Sequence, residues 1–533
     1  MKLLLILLIA TIFTTVRPLI SPGFLPTHDG EYHMIRFFEF EKMLKAGFVF
    51  PRWAPGLNSG YGVPLFNFFY PFPNYPGSLF HILGWSLADS FKLSLAIAYL
   101  SASILCFLWL KKLFSVRASA IGTITFAYVP YWFVDIYVRG SIGEIFAICF
   151  LMLYLACVEN NWRLLSSFAI AGIIVSHNVL SILFLPLLVA YSLLRRRQYV
   201  FNIILGIGLA VYFWVPALLE REFVVGLNAV NIFNYFPDFY QILVPSWGTG
   251  FSGSGVTGNE MSPQIGILPV LIIFLSLFSV LRSKEKSNKQ LATFFLSVAF
   301  LSFFLMLSIS YPIWKTVPLL SYLQYPWRLL SLFFPTVAFL TAYVVSNINK
   351  FFVQVLFVFF AILFSYQYTR PAMYLPRSDE YYLTKREFID GTSSLGNSFS
   401  TRWSDWKKER AEEKIEIISG SAQISNATIK PTDYRFSILA ETASTIAVNT
   451  LYYPGWIVQV DSINVSIDYE KDGTIKFLVP SGNHMVRVYF GETPLRILAD
   501  FISLLSLFWI IRSAILEKVY EHRNRYHANA QRT

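Results

Sequence analysis

The sequence predicts a mainly α-helical, polytopic membrane protein of about twelve transmembrane crossings, with a small extracytoplasmic β-sandwich near its C-terminus. Three observations carry this expectation. The 533 residues are 55% hydrophobic and 14% charged, with a mean hydropathy of +0.52, against about 45–50% apolar and about 25% charged in soluble domains. Apolar stretches close to the ~20 residues that span a bilayer recur along the chain. From about residue 414 to 490 the pattern changes to short alternating runs separated by turn signals, which is the period of half-buried strands.

The apolar stretches fall at about 3–20, 92–110, 118–134, 143–158, 199–218, 264–281, 291–309, 328–346, 351–367 and 497–516. The first begins like a signal peptide but has no small-x-small cleavage site before Arg17-Pro18, so it reads as a retained helix. One more stretch, Leu164 to Leu194, is too long for one span and is interrupted by Ser176-His177-Asn178. Topology decides how to read it. Lys111-Lys112 with Arg117, Arg195-Arg196-Arg197, Arg282 to Lys289 and the tail from Lys518 to Arg525 belong on the cytoplasmic side by the positive-inside rule. All of them land there, together with both termini, if residues 164–194 cross twice as a hairpin turning at His177-Asn178. The net charge of +11 is then a matter of topology, and nucleic acid is not an expected partner.

This arrangement gives a membrane domain over residues 1–368 with a large first outer loop at 21–91. An extracytoplasmic region follows at 369–494, with the β-sandwich at about 414–490, and then a final helix and basic cytoplasmic tail at 495–533. In the first loop, Ile35, Phe38 and Leu44 alternate with Arg36, Glu39, Glu41 and Lys42, the pattern of an interfacial helix over about 31–46. Residues 51–76 are rich in Pro, Gly and aromatics and read as an ordered irregular loop. Gly248 to Gly258, with five glycines, is a candidate mobile lid. Strands are expected around 415–418, 434–438, 445–448, 457–460, 465–469, 474–479 and 485–489, with Lys471-Asp472-Gly473 as a hairpin turn. Cys106, Cys149 and Cys157 all lie in apolar runs and read as small core residues.

Nearly every polar residue that topology leaves unexplained falls on the outer side. Thr27-His28-Asp29-Gly30-Glu31-Tyr32-His33 follows the first span directly, and ionisable residues at a membrane edge are costly and point to function. A helix starting near Asp29-Gly30 sets Asp29, His33 and Arg36 on one face, at i, i+4 and i+7, with Glu31 elsewhere. Such a carboxylate can serve as a general base; as an isolated local feature, Asp29 reads more readily as a helix cap. His28, Asp29, Glu31 and His33 are also ligand types for a divalent ion, at irregular spacing. Arg139 and Glu144 flank Gly140-Ser141-Ile142-Gly143 between two spans. An arginine there suits a phosphate, and a local ion pair of Arg139 with Glu144 or Asp135 is the competing reading. Gln324 and Arg328, in Gln324-Tyr325-Pro326-Trp327-Arg328, open a span from the outer side, where Arg328 either binds phosphate or snorkels. His177 and Asn178 tip the hairpin. Tyr452-Tyr453-Pro454-Gly455-Trp456 reads as core or turn before it reads as a sugar-stacking surface. The chain has no P-loop, no GxGxxG opening a helix and no Gly-x-Ser-x-Gly elbow.

Taken together, several pieces resemble the GT-C class of polytopic membrane glycosyltransferases. They are His28-Asp29-Gly30 with His33 and Arg36; Pro51-Arg52-Trp53 with Gly60-Tyr61-Gly62 and Pro64; Tyr137-Val138-Arg139-Gly140 with Glu144; Ser176-His177-Asn178; and Gln324 to Arg328. Within that class they are similar to the prokaryotic "6-pyruvoyl-tetrahydropterin synthase-related" membrane proteins. Tyr453-Pro454-Gly455-Trp456 and Glu492-Thr493-Pro494-Leu495-Arg496 resemble the ending of YfhO-type proteins. The pterin-synthase label implies a histidine-built zinc site, and no His-x-His is present.

The GT-C resemblance implies an inverting transfer from a polyprenyl-phosphate sugar to a glycan, lipid or protein acceptor at the extracytoplasmic face. It implies Asp29 as base, with Glu31 as the substitute, and Arg139 and Arg328 on the lipid phosphate. His28, His33, Arg36, Glu144, His177, Asn178 and Gln324 complete the candidate substrate-binding set. No cofactor is required by the motifs; a divalent cation, Mg or Mn, is an open option. Two other classes compete: a lipid-linked glycan flippase, and a non-catalytic surface-assembly protein acting through the β-domain. The absence of an internal repeat argues against a transporter.

Overall fold

A computed structural model describes residues 2–226, 231–252, 258–282, 286–348, 350–384, 398–404 and 409–530. Among them, seven helices are long and apolar enough to cross a membrane, two further helix pairs qualify as bent spans, and three shorter apolar helices accompany them. Together they occupy each of the stretches expected to span, so the chain is a multi-pass membrane protein. The bends are not evident in the hydropathy, and each has a local cause. Val116–Ala127 and Pro130–Arg139 meet at 44° because Pro130 holds Val129 extended and starts a new helix. Tyr199–Leu209 and Val211–Leu219 meet at 60°. There the Trp214 indole donates to the Ile207 carbonyl (3.2 Å) and Tyr212 N donates to Ser503 Oγ (2.8 Å), so side chains stand in for ladder bonds.

The stretch 164–194 divides as Arg163–Ser176 and Asn178–Arg195, with His177 extended between them. Contacts with Ile142–Asn160 show that it doubles back. The start of that helix meets the hairpin tip, Glu144 Oε1 lying 3.7 Å from His177 Nε2, and its end meets the hairpin's end, where Glu159 takes both Nε and Nη2 of Arg195 (2.8 and 2.7 Å). The Arg195 end also gathers the other basic loops. Arg196 bonds Asn161, Asn160 bonds the Leu108 carbonyl, and Asn288 bonds the Leu113 carbonyl. One end of the bundle is therefore basic, and the polar residues set aside above collect at the other.

The helix expected over about 31–46 forms as Gly30–Lys45, but it is more enclosed than an interfacial helix. Met34, Ile35, Phe37, Phe40 and Met43 are buried, and so are Glu39 and Glu41. Glu39 accepts from Gly56 N at 2.6 Å, and Glu41 pairs with His81 and Lys45. The irregular loop and the helix Asn74–Ile82 thus cover what the bilayer surface was expected to cover.

The β-domain has eight strands: β1 Ile415–Ser419, β2 Ala422–Lys430, β3 Asp433–Ala440, β4 Ser444–Leu451, β5 Trp456–Val460, β6 Ile463–Val465, β7 Thr474–Val479 and β8 Gly482–Phe490. They form two antiparallel sheets, β1-β4-β7 and β2-β3-β8-β5-β6. The Lys471–Gly473 turn forms, with Gly473 at φ +76° and an Asp468–Lys476 bridge beside it. The strand expected at 465–469 is a correction: β6 ends at Val465 and pairs with β5, not with β7.

The sandwich is anchored to the loop over residues 21–91 by a buried ionic joint. Arg496, fully buried, donates to both oxygens of Glu220 (3.0 and 3.1 Å) and to the Pro454 carbonyl (2.7 Å). Glu220 also accepts from Asn67 and from the Tyr453 hydroxyl, both at 2.8 Å. Arg52 bonds Glu492 (2.9 Å) and Asn67 (3.1 Å), and the Trp53 indole packs edge-on to Trp456. Gly62 leaves room for that indole, since a Cβ there would lie 2.5 Å from Trp53 Nε1. Tyr453 and Trp456 are buried, so the Tyr452–Trp456 run is chiefly core.

Candidate active site

The site forms at the non-basic end of the bundle, where the loop over residues 21–91 meets the bend before Ile142–Asn160. Val134–Arg139 is a π-helical turn closed by Gly140 at φ +66°, and such turns recur at functional sites. The backbone of the first loop is bonded to it: His28 N donates to Val138 O (3.0 Å) and Asp29 N to Arg139 O (2.9 Å). Thr27 Oγ1 accepts from Gly30 N at 3.2 Å, while Asp29, at the N-cap position of Gly30–Lys45, makes no side-chain cap bond. The cap reading of Asp29 is thus corrected: Thr27 performs that task. The Asp29 side chain is half-buried beside the π-turn.

Around it stand three arginines. Arg36, one helix face along from Asp29 as the spacing predicts, is buried with its guanidinium 3.9 Å over the Phe69 ring and is within electrostatic reach of Asp29 and Tyr70. Arg139 is held on both sides, by Asp135 at 2.5 Å and Glu144 at 2.8 Å, with Tyr131 Oη at 3.2 Å and the Trp327 ring 4.6 Å away. Both local ion pairs weighed above are therefore present at once. Arg328 Nε lies 3.3 Å from the same Glu144 oxygen, and its Nη1 bonds the Leu323 carbonyl (2.9 Å) and Gln324 Oε1 (2.8 Å). Arg328 is 7% exposed, so it does not snorkel. Its Nη2 makes no hydrogen bond among the described residues. Gln324 reaches it from a left-handed backbone, φ +64°.

Glu144 joins these groups. It is fully buried, sits in the first turn of its helix, where a carboxylate is favoured, and also accepts from Tyr131 at 3.0 Å. His177 is N-cap of Asn178–Arg195, its Nδ1 accepting from Leu180 N at 3.2 Å, which places its proton on Nε2, toward Glu144. Burial, reinforced by Arg328 and Arg139 and opposed by Glu144, pushes its pKa down to about 3, so the ring is neutral. It stacks on Tyr70, whose hydroxyl pKa burial raises. Asn178 bonds the Phe68 carbonyl at 3.1 Å and fixes the 68–70 turn against the hairpin tip.

The remaining candidates go elsewhere. Glu31 pairs with Arg377, which stacks on Tyr381, so its carboxylate is committed to the segment after the Phe351–Ser365 helix. His33 is buried between the Phe69 and Phe91 rings; burial first, then Arg36 and His177, hold it well below the usual histidine range. His28 bonds the Thr249 carbonyl at 2.8 Å and stacks on Phe251, and burial lowers its pKa against that bond. The beginning of the Gly248–Gly258 stretch thus lies on the site, and its residues 253–257 fall outside the described ones. As for a cation, the four residues with ligand chemistry diverge in these directions. No group of three or more His, Cys, Asp or Glu side chains suited to a metal occurs among the described residues.

Tyr131 and Tyr70 belong to the site and were not singled out from sequence, whereas Asp135 was weighed only as an ion-pair partner of Arg139, and Thr27 and Trp327 only as members of their motifs. Asp135 carried a usable signal, an acid inside an apolar run; the aromatics carried none.

No family model matches the chain, and no curated protein does. Among solved structures, the arabinofuranosyltransferase AftD from Mycobacteria aligns with 92% of this chain and 40% of its own length, at a TM-score of 0.50 and 13% identity. The apo oligosaccharyltransferase of Archaeoglobus fulgidus aligns with 78% of this chain and 62% of its own, at 0.41 and 15%. ArnT from Cupriavidus metallidurans bound to undecaprenyl phosphate aligns with 69% and 89%, at 0.32 and 12%. This chain spans less than half the length of AftD, and the likeness is one of fold: the GT-C membrane-glycosyltransferase fold.

Proposed function

We propose that this chain is an inverting membrane glycosyltransferase that moves a sugar from a polyprenyl-phosphate donor to a cell-surface acceptor at the extracytoplasmic face. One observation carries the reading. The half-buried Asp29 is fastened by backbone bonds to the turn that presents Arg139, so a base and a phosphate-binding cation share one wall. In the reaction, the acceptor hydroxyl attacks the anomeric carbon as the bond from that carbon to the phosphate oxygen breaks. Asp29 takes the hydroxyl proton, and Arg139 and Arg328 meet the charge that grows on the departing lipid phosphate. Arg36, over Phe69, places a buried positive charge within electrostatic reach of Asp29. Glu144 orients both phosphate arginines.

The positive-inside rule supports the extracytoplasmic placement, since the basic end of the bundle lies opposite the site. The fold shared with AftD, by name an arabinofuranosyltransferase, supports a transferase. The motifs at Tyr453–Trp456 and Glu492–Arg496 are our grounds for placing the chain near the YfhO-like proteins, as part of the same proposal. The test supplies membranes containing the protein with labelled polyprenyl-phosphate sugar. Label should pass to acceptor with wild type and not with Asp29→Asn. Movement of intact lipid-linked sugar with no new glycosidic bond would instead mark a flippase.

A further inference from the structure

The β-domain carries a second candidate site, on the face of its five-stranded sheet turned away from the sandwich core. Tyr434, Phe436, Val486 and Val488 point inward and are buried, so their neighbours along β3 and β8 face outward. One register row crosses all five strands, from Thr428 through Arg435, Arg487 and Gln459 to Asn464, about 19 Å at about 4.8 Å per strand. The row beside it holds Lys430, Asp433 and Tyr489. Arg435 and Arg487 stand directly opposite each other, a like-charge pairing that destabilises a sheet. Asp433 offsets this by gripping both. Its Oδ1 accepts from Nε of Arg435 (3.2 Å) and of Arg487 (3.1 Å), and its Oδ2 from Nη2 of each (2.9 Å). One carboxylate thus holds two guanidiniums, and with Lys430 the two rows keep two positive charges in excess. A guanidinium has five N–H donors, and Asp433 takes two from each, so the others remain for a ligand. The two arginine side chains are 57% and 41% exposed, and Arg487 lies 4.3 Å over the Tyr489 ring, which steadies its plane. At the end of the row the Gln459 amide donates to Asn464 Oδ1 (3.0 Å), which leaves Gln459 Oε1 to accept and Asn464 Nδ2 to donate.

We propose that this row binds an anionic glycan, a sugar chain bearing acidic groups, laid across the strands. An acidic group of the chain sits on the paired guanidiniums, whose fixed forks suit an oxyanion, and its charge relieves the opposition of Arg435 and Arg487. Sugar hydroxyls bond Thr428 on one side and Gln459 and Asn464 on the other. These neutral ends of the row favour a polyhydroxylated chain over an acidic peptide. The site lies on the β-domain, apart from Asp29, and does not rest on the proposed reaction.

Full-length protein in nanodiscs of uncharged lipid tests this by direct binding of polygalacturonate, dextran or polyglutamate. No sugar donor is present, so the outcome is separate from that of the transfer assay. Polygalacturonate should bind, and the other two should bind much more weakly, dextran for want of charge and polyglutamate for want of hydroxyls. Arg435→Gln and Arg487→Gln should each weaken polygalacturonate binding roughly tenfold or more. Arg435→Lys, which keeps the charge and loses the fork, should also weaken it while folding normally. Lys471→Gln, an equal loss of charge in the turn before β7, should leave it unchanged. Failure of polygalacturonate to bind, or unchanged binding in the arginine variants, would overturn the proposal. Equal binding of polyglutamate would overturn the glycan and leave an acidic-peptide surface.

Discussion

Asp29 and Glu31 are two residues apart and have different fates because each helical residue turns the side chain by about 100°. The Asp29 backbone N–H is held by the Arg139 carbonyl, and two residues on, about 200° round the helix, the Glu31 carboxylate meets Arg377. Asp29→Asn should therefore reduce sugar transfer roughly 10²–10⁴-fold, while Glu31→Gln should keep most of it; the two rates, measured in membranes of equal protein content, check the assignment. His177 gives a second expectation. Its folded pKa of about 3 lies below the ordinary histidine value, so the unfolded chain binds a proton first as pH falls. Stability attached to the neutral ring is complete above about pH 6.5 and declines toward pH 3, by about 3 kcal/mol at pH 4. His177→Asn can keep the cap and should flatten that decline in pH-resolved thermal unfolding. The nearness of Arg36 to Asp29 was legible because helical spacing is local. The Asp135–Arg139 pair was legible in the same way, at i and i+4, whereas Tyr131 was not, because it is the π-turn and the Glu144 helix that bring Arg139 and Glu144 to its hydroxyl.

The elements that hold the site are short and backbone-driven. Gly140 is left-handed, and a Cβ there would lie 2.4 Å from Thr27 Oγ1, the atom that caps Gly30–Lys45. Gly140→Ala should therefore push the 27–29 turn off the π-turn. Since small misplacements of reacting groups can cost about 10² in rate, transfer should fall by that order while membrane insertion is unchanged. A second element, the segment around 374–384, straps the first-loop helix through Phe24–Leu375 bridging, Glu31–Arg377 and His81, which lies between Asp379 and Glu41. Asp379 first, and Glu41, raise the His81 pKa against burial. That strap is therefore strongest below about pH 6.5 and loosens as pH rises through the folded value. His81→Gln should remove this pH dependence, worth about 1 kcal/mol or less for a half-exposed pair, as read by proteolysis of the strap at pH 5.5 and 8. Spans were legible here because twenty apolar residues in a row admit few readings. The hairpin at His177 needed only charge bookkeeping. β2 was missed because it is an edge strand exposed on both faces, which leaves no alternation to read, and the bends were missed because hydropathy does not register a proline or an inserted indole.

At the scale of the whole molecule, the β-domain and the membrane bundle are coupled by charges far apart in sequence. Arg496 and Glu220 are both buried, at 0% and 3% exposure; Asn67 and Tyr453 donate to Glu220, and Arg52 joins Asn67 to Glu492. Their residues include those that carry the YfhO resemblance, yet no spacing rule could have joined them, since the contacts span the chain from Arg52 to Arg496. The same loop that holds Arg52 continues through Asn67 and Phe68 to the Asn178 contact at the hairpin tip, so the joint and the site share one support. Arg496→Met should leave Glu220 charged and unpaired in the interior, a loss of about 3–5 kcal/mol. Glu220→Gln combined with Arg496→Met removes both charges and should recover much of it, because desolvation opposes the pair in the first place. Thermal unfolding and limited proteolysis between residue 384 and β1 would report the coupling. If the joint supports the site as well as the sandwich, transfer should fall in Arg496→Met and return in the double variant along with protease resistance. Recovery of resistance without transfer would mean that the joint positions only the β-domain.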